Sequence, residues 1–541
     1  MRLFGLALLA ACLPVAAQAQ TARTAPKLIV AISVDQLSSD LWDEYRPQFG
    51  GGFARLAGGT AFRNGYQGHA ATETCPGHST ILTGSRPSRT GIIANNWYDL
   101  SQSRSDKSVY CAEDERVPGT SSTSYTVSPF HLKVPTLGEL MKRRDPASRN
   151  VAVAGKDRSA VMMSGHVVDQ RWYWDGKAFV TDLKSAQVPR TLAAVNTAVA
   201  AAIAAPQTAL VPPPLCAAKS RVIPIEGGGK PVGAGNFSRA AGDIRGFRSS
   251  PAFDGATLAL AASLLQEMQL GRGAATDILS IGLAGSDFVG HSYGTEGGEM
   301  CLQLFSLDRD LGDFFGLLDR SGIDYAVVLT SDHGGQDVPE RQREQGLANA
   351  ARVDPALAAS AVGKAIGARL GLAGPVLIGE SSFGDVYLDR ALRPADQARA
   401  MDAAVAAYRA HPQVEAVFTS EQLRRTPSPT TSPDKWTMIE RARASFDAER
   451  SGDFIVLLKK GITPIADTKS YVATHGSPWD YDRRVPILFW RPAMAPAARE
   501  EAVETADIMP TLAAMIGLPV QAGSIDGKCL SGVEGVACPA R

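Results

Sequence analysis

The sequence predicts an α/β protein with three layers, in which a mostly parallel central sheet lies between two layers of helices. Continuous apolar runs, typical of buried strands, occur at residues 27–34, 151–154, 277–283, 324–330 and 485–490. Apolar side chains repeat at three- and four-residue spacing, as in helices, at residues 136–142, 256–270 and 303–318. Strands that are apolar on both faces and alternate with helices form parallel sheets covered on both sides.

Three segments interrupt this alternation. Two of them, 101–129 and 204–251, are rich in Ser, Gly and Pro, and the third, 340–445, carries short strands and helices of its own. We expect these segments to lie over the strand ends as insertions that shape a substrate pocket. A mature chain of about 520 residues exceeds the usual size of a single core. Length alone therefore allows one large domain with an insertion or two domains. We predict one catalytic domain, 20–541, that carries all three insertions.

The first 19 residues have the pattern of a secretory signal peptide. Arg2 precedes an apolar run at 3–15, and an Ala-x-Ala site ends at Ala19. The apolar run is too short to span a bilayer, and no later segment has eighteen uninterrupted apolar residues. We therefore predict a bacterial protein that is periplasmic or secreted. The alternative, a lipoprotein anchored through Cys12, would need an unusually short signal.

Cysteine content and charge restrict the partners. Six cysteines remain after the signal peptide, and an even number in an exported chain favours disulfide bonds. Of the fifteen pairings that six cysteines allow, the sequence favours only Cys529 with Cys538, in the Gly-rich tail. The sequence contains no Cys-x-x-Cys motif, so the cysteines are not expected to bind a metal ion. Formal net charge is zero, and without a dense basic patch nucleic acid is not an expected partner.

Seven polar residues lie where predicted strands end or in the loops just beyond, where an open α/β sheet carries its functional groups. They are Asp35, Thr74, Asp287, His291, Asp332, His333 and His475. Carboxylates and imidazoles in this mixture suit a pair of divalent metal ions, with zinc the best match. Two such ions can hold the attacking and leaving oxygens of a phosphoryl displacement. The chain is therefore predicted to hydrolyse phosphate esters.

Thr74 is the predicted nucleophile. It begins the sequence Thr-Cys-Pro-Gly-His, in which Pro76 marks the first turn of a helix, so the Thr74 hydroxyl would lie at the positive end of that helix. Metal coordination there favours the alkoxide form. Taken alone, Thr74 reads more simply as an N-cap; the other six residues favour the catalytic interpretation. Gly334 and Gly335, which follow His333, are expected to permit a tight turn.

In this order the motifs resemble the alkaline phosphatase superfamily, and within it the phosphate-irrepressible branch that uses a threonine nucleophile. The similarity extends from residue 27 to about 518 and implies an alkaline-phosphatase-like fold. It implies two Zn²⁺ ions per chain, one bound by Asp287, His291 and His475 and the other by Asp35, Thr74, Asp332 and His333. It also assigns Asn95, Lys156 and Arg158 to the oxygens of the substrate phosphoryl group.

Lys156 and Arg158 favour a monoester substrate. Two cations suit a dianion, whereas a diester has one oxygen blocked and carries one charge fewer. We therefore predict an alkaline phosphatase that acts on a broad range of small phosphate monoesters through a phosphothreonine.

The alternatives are a nucleotide pyrophosphatase/phosphodiesterase of the same superfamily and a non-catalytic phosphate-binding protein. A sulfatase is not expected, because Cys75 lies in Cys-Pro-Gly-His and not in Cys-x-Pro-x-Arg. The sequence leaves the oligomeric state open, a monomer included.

Overall fold

Strands and helices alternate along most of the chain in the computed structural model, which describes residues 24–539; the predicted signal peptide and Cys12 lie outside the described residues. The strands are β1 (Leu28–Val34), β2 (Thr60–Tyr66), β3 (Asn96–Tyr98), β4 (Ser108–Tyr110), β5 (Asn150–Ala154), β6 (Gln170–Trp174), β7 (Phe179–Val180), β8 (Asp277–Leu283), β9 (Tyr325–Thr330), β10 (Ala351–Arg352), β11 (Leu377–Ile378), β12 (Gly384–Leu388), β13 (Val414–Thr419), β14 (Phe454–Leu458), β15 (Ile462–Thr463), β16 (Arg484–Trp490), β17 (Ala497–Arg499) and β18 (Val503–Glu504).

The helices are α1 (Ser39–Tyr45), α2 (Gly52–Ala57), α3 (Thr74–Ile81), α4 (Pro87–Thr90), α5 (Leu137–Arg144), α6 (Asp157–Ser164), α7 (Leu192–Ala204), α8 (Pro214–Ala218), α9 (Ile244–Arg248), α10 (Ala252–Glu267), α11 (Gly285–Tyr293), α12 (Gly298–Ser321), α13 (Pro339–Glu344), α14 (Ala359–Leu370), α15 (Pro394–Ala410), α16 (Ser420–Arg425), α17 (Met438–Ser445), α18 (Asp480–Arg483) and α19 (Ile508–Met515). None of these helices is long and apolar enough to cross a bilayer.

The main sheet has ten strands in the order β17-β2-β16-β9-β1-β8-β5-β6-β7, with β18 paired to β2. Strands β9, β1, β8, β5 and β6 are mutually parallel, so their carboxyl ends meet at one edge. Strand β1 is buried on both faces: Val30 and Ile32 belong to a core with α10 and α12, and Ile29 and Ala31 to a second core with α5 and α19. These two cores confirm the predicted three-layer fold with a mostly parallel sheet.

All five apolar runs form strands of the main sheet, and the three helical patterns correspond to α5, α10 and α12. The run at 485–490 differs from the others, because β16 is antiparallel to both of its neighbours, β9 and β2. Strand β2 has no counterpart among the strands predicted from the sequence. Its Arg63 and Asn64 are only half-buried, which interrupts the apolar run that marks the other strands.

The segment 340–445 contributes most of a second sheet, with strand order β11-β12-β14-β13. Strand β14 lies beyond the predicted end of that segment. The second sheet has its own apolar core, and its loop at Phe383 reaches the main domain beside Gly476. Three disulfides are formed, Cys75–Cys111, Cys216–Cys301 and Cys529–Cys538, and the last confirms the one pairing that the sequence favoured.

Candidate active site

Four adjacent parallel strands end in predicted site residues. Strand β1 is followed by Asp35, β9 by Asp332 and His333, and β5 by Lys156, which caps the start of α6. Strand β8 leads into α11, which carries Asp287 and His291 one helical turn apart. Because these strands are parallel neighbours, the polar groups converge at one edge of the sheet.

Asp287, His291 and His475 form one group, here called the outer cluster. Nε2 of His291 lies 3.3 Å from Oδ1 of Asp287, and Nε2 of His475 lies 3.4 Å from the same oxygen. The three ligand atoms are all within 4.8 Å of one another. A single ion could therefore bind all three, as the sequence suggested.

Asp35, Asp332, His333 and His78 form the inner cluster, and all four are fully buried. Nε2 of His333 lies 3.1 Å from Oδ2 of Asp332. His78, to which the sequence analysis gave no role, lies between the two carboxylates, 3.3 Å from Asp35 Oδ1 and 3.3 Å from Asp332 Oδ2. A sequence signal existed for it, because His78 is one helical turn after Thr74 on the same side of α3.

Backbone carbonyls orient the three histidines that were predicted as ligands. Nδ1 of His291 donates to Ala473 O, Nδ1 of His475 to Thr72 O and Nδ1 of His333 to Gly334 O, each at 2.8 Å. A carbonyl only accepts, so each Nδ1 carries a proton, and a ring that is neutral has its lone pair on Nε2. Metal-binding histidines are commonly fixed in this way.

Unsatisfied buried atoms test whether this site fits metal ions. Among the described residues, both Asp35 carboxylate oxygens, Asp332 Oδ2, and Nε2 of His78 and His333 are buried without a well-aligned hydrogen bond, although Lys156 and the histidines lie 3.0–3.3 Å from the carboxylates. Such atoms are costly to bury unless something binds them. The rings of His333 and His475 stack at 3.5 Å, so the two clusters adjoin. The oxygen and imidazole donors therefore fit divalent metal ions.

The ammonium of Lys156 lies between the clusters. Its Nζ is 2.6 Å from Asp287 Oδ2 and 3.0 Å from Asp35 Oδ2, and it donates to Thr74 Oγ1 at 3.4 Å. Burial lowers the pKa of Lys156, but the two carboxylates outweigh that effect and raise it. Lys156 is therefore a fixed cation at the junction of both clusters.

Thr74 is the first residue of α3 and is fully buried. Arg158 Nη2 donates to Thr74 Oγ1 at 3.5 Å, so both predicted cations face the hydroxyl. Asn95 lies beside it, since its Oδ1 accepts the N–H of Cys75 at 2.9 Å. The structure thus brings together all ten residues named from the sequence.

Gln36 joins the clusters and was not foreseen. Its N–H donates to Asp332 Oδ1 at 3.2 Å and its Nε2 to Asp287 Oδ1 at 3.3 Å, from a backbone with φ of 67°.

Gly334 and Gly335 were expected to permit a tight turn. That explanation was wrong, since neither glycine has a positive φ. A Cβ at Gly334 would lie 2.1 Å from Tyr481 O, and one at Gly335 would lie 2.6 Å from Gln36 Cγ. Close packing requires these glycines.

The clusters change the pKa values of their members. Burial would raise the pKa of Asp287 and Asp332, but neighbouring histidines, and Lys156 for Asp287, lower both well below the usual carboxyl range. Burial and the charge of His333 lower the pKa of His475 to about 3. Ionised carboxylates and a neutral imidazole are the forms that bind metals.

Comparison with known proteins places the chain in a family. It matches the family described as type I phosphodiesterase / nucleotide pyrophosphatase over residues 29–478. It is 51% identical to alkaline phosphatase PhoK of Sphingomonas sp over 98% of this chain and 97% of that protein. It is 47% identical to alkaline phosphatase PhoD of Zymomonas mobilis over 97% of this chain and 92% of that one. The crystal structure of alkaline phosphatase PafA aligns with a TM-score of 0.81 at 25% identity and covers 95% of this chain and 100% of that chain.

Carboxylate and imidazole clusters at the carboxyl edge of a parallel sheet, beside a buried hydroxyl, define a metal-binding hydrolase of α/β fold. The chain belongs to the alkaline phosphatase superfamily and, within it, to the type represented by PhoK and PafA. It is an enzyme, a phosphoric monoester hydrolase. The family predicted from the sequence motifs is confirmed.

Proposed function

We propose that this protein is an exported, zinc-dependent phosphomonoesterase that acts through a covalent phosphothreonine on Thr74. The contact of Thr74 Oγ1 with both Lys156 and Arg158, beside the two ligand clusters, carries this proposal. Export is supported by the signal sequence and by three disulfides, which persist in oxidising compartments.

The proposed zinc ligands are those named from the sequence. The outer cluster would hold one ion and Asp35, Asp332, His333 and Thr74 the other. Zinc bound there would supply Lewis-acid stabilisation of the oxygens that gain charge. We place the leaving oxygen at the outer cluster, on the opposite side of the phosphoryl group from Thr74.

In the first step the Thr74 oxygen attacks phosphorus, and the bond to the leaving-group oxygen breaks. Lys156 and Arg158 donate to the non-bridging oxygens, and the Asn95 amide supplies a further donor. Water then attacks phosphorus, releases inorganic phosphate and regenerates Thr74. Two displacements retain the configuration at phosphorus. The positioned donors provide most of the catalysis, since the transition state is loose.

A solved variant of PafA supports the assignment of these four residues, because it carries substitutions of one threonine, one asparagine, one lysine and one arginine. Its threonine and asparagine are 21 positions apart, as are Thr74 and Asn95 here, and its lysine and arginine are two apart, as are Lys156 and Arg158. The match in residue type and spacing supports equivalent positions in the two chains.

Phosphodiesterase activity is the second candidate, because the family description names phosphodiesterases and nucleotide pyrophosphatases. Lys156 and Arg158 argue against it as the main activity. Both cations contact the Thr74 hydroxyl and would therefore lie beside the phosphoryl group, where a diester has one oxygen fewer to bond and one charge fewer.

The deciding experiment compares kcat/KM for an aryl phosphate monoester and the matching aryl diester on zinc-loaded mature protein. We expect a strong monoester preference that falls by at least about 100-fold when Lys156 and Arg158 are replaced by Ala. Lys219→Ala is the matched control, since Lys219 pairs with Glu44 on the surface. A diester preference, or a monoester preference that survives loss of both cations, would overturn the proposal.

A further inference from the structure

A cavity of about 460 Å³ adjoins the active site, and Lys156 and Arg158 form part of its wall. Phe288, Tyr471 and Arg248 line the wall that leads away from these two cations. The mechanism above uses none of these three residues. Phe288 lies on α11, Tyr471 in the loop before His475 and Arg248 on α9 in the segment 204–251.

This wall is continuous with both ends of the active site. The Tyr471 ring lies 4.7 Å from the ring of His291 in the outer cluster. The Phe288 ring lies 5.1 Å from Lys156 Nζ on one side and 4.2 Å from the Arg248 guanidinium carbon on the other. A leaving group that extends beyond the outer cluster would therefore contact this wall.

The wall carries positive charge that the protein leaves unpaired. Arg248 lies over Phe288. Arg245 lies over Tyr471 at 5.3 Å and lines an adjoining cavity together with Arg248 and Tyr471. Within residues 24–539 no carboxylate is in ion-pairing distance of either guanidinium. Nη2 of Arg248 donates only to the Tyr471 hydroxyl, at 3.4 Å, and its buried Nε has no partner.

Two carboxylates of the same cavity, Asp157 and Asp175, are occupied elsewhere. Asp157 accepts from the hydroxyls of Tyr110 and Tyr125, each at 2.8 Å. Asp175 accepts from two backbone N–H groups of its own loop. Neither of them forms an ion pair with Arg248. Asp243, which lines a cavity with Arg245, accepts the N–H of Gly246 at 2.8 Å and forms no ion pair with Arg245, so both guanidiniums can bind an anion that enters from solvent.

We propose that Arg245, Arg248, Phe288 and Tyr471 form a leaving-group subsite for monoesters whose leaving group carries a second anionic group a few bonds from the ester oxygen. Phosphate, sulfonate or carboxylate would satisfy this chemistry, since guanidinium binds each of them through paired N–H donors. The aromatic faces suit a planar spacer between the two anionic groups. This inference rests on the proposed function, because it assumes that the leaving group lies at the outer cluster.

Three aryl monoesters of similar size test the subsite: phenyl phosphate, 4-sulfophenyl phosphate and 4-(trimethylammonio)phenyl phosphate. The comparison is between the zinc-loaded wild-type enzyme and the Arg245→Gln/Arg248→Gln variant. We expect kcat/KM for the sulfonated ester to fall by about tenfold relative to that for phenyl phosphate, since each lost contact to a charged group costs a few-fold or more. The cationic ester should lose no activity relative to phenyl phosphate. Taking ratios between enzymes cancels differences in leaving-group acidity.

Two controls separate a binding role from a structural one. Arg424→Gln removes a guanidinium that also lies over a ring, that of Phe446 just after the segment 340–445, and should leave the three ratios unchanged. Arg248→Lys, which keeps the charge, should retain part of the preference for the sulfonated ester. Equal losses for all three esters in the double variant would overturn the subsite while leaving the phosphomonoesterase proposal standing. Absence of phenyl phosphate turnover in the wild-type enzyme would overturn both.

Discussion

The inner and outer clusters use the same residue types at the same sheet edge but differ in their access to solvent. The His333 side chain is 0% exposed beneath α3, whereas the His291 side chain is 14% exposed and contacts Tyr471 at the cavity. Under the proposed mechanism the inner cluster holds the nucleophile, which never leaves the protein. The outer cluster meets a leaving group that must enter and depart. The difference in burial therefore matches the groups that the two clusters would contact: Thr74, which stays in the protein, and a leaving group, which exchanges with solvent.

The largest expected effect separates Thr74 from the metal ligands around it. Thr74→Ala should lower kcat for a phosphomonoester by about 10⁴-fold, because the covalent step loses its nucleophile. Zinc content should stay near the wild-type value, since the carboxylates and imidazoles of both clusters remain. Elemental analysis and steady-state kinetics on the same sample test this. Unchanged turnover would refute the nucleophile assignment, and loss of zinc would show that Thr74 is mainly a ligand.

Loss of one histidine from each cluster should reveal the difference in access. His291→Ala and His333→Ala should each lower kcat/KM by more than about 100-fold through weakened metal binding. Added imidazole should restore roughly tenfold in the His291 variant only, because its vacated position opens to the cavity. Equal rescue of both variants, measured as activity against imidazole concentration, would contradict the contrast in burial.

His78 should act as a positioning residue of the inner cluster. His78→Gln removes the imidazole between Asp35 and Asp332 and should weaken zinc binding at the inner cluster by about 10- to 100-fold. The outer cluster should keep its affinity, so titration with a competing chelator should resolve one weakened and one normal site. Equal weakening at both sites would indicate a general loss of structure. An unchanged titration would show that His78 positions neither carboxylate.

The fold was predictable because its central strands are buried on both faces. Continuous apolar runs marked β1, β5, β8 and β9, and these strands place Lys156 and five of the seven predicted ligands. Strand β2 was missed because the half-buried Arg63 and Asn64 interrupt its apolar run. The antiparallel direction of β16 was equally hidden, since an apolar run does not encode the direction of its neighbour.

The site was predictable to the extent that residue type and strand position determine it. Seven of the ten named residues converge because parallel strands end at one edge, and Thr74, Asn95 and His475 join them from α3 and from loops. His78 and Gln36 were missed for physical reasons. His78 has no strand end to mark it, and Gln36 depends on a left-handed backbone, with φ of 67°, that a glutamine in sequence does not suggest. Arg245 and Arg248 lie in an irregular segment whose position over the site only the tertiary structure shows.

The smallest expected effect concerns a buried carboxylate without a cationic partner. Asp254 accepts from the Gly285 N–H at 2.8 Å and from Gln303 Nε2 at 2.9 Å. In contrast to the cluster carboxylates, burial raises the pKa of Asp254 to about 7. The folded protein therefore binds a proton on Asp254 more tightly than the unfolded chain does. Protonation of Asp254 stabilises the folded protein fully below about pH 4, the range of an ordinary Asp pKa. This contribution to the free energy of unfolding is lost as the pH rises to about 7.

Asp254→Asn should remove that slope. Asparagine has no charge to desolvate, and its amide can donate to Gln303 Oε1, which is buried without a partner, once the Gln303 amide turns. Urea unfolding of zinc-free protein from pH 4 to 8 should show the variant gaining roughly 1–3 kcal/mol relative to wild type, with most of the gain below pH 7. A pH-independent difference would mean that Asp254 is already ionised in the folded protein at pH 4. Its hydrogen bonds would then outweigh its burial, as the histidines do for Asp332.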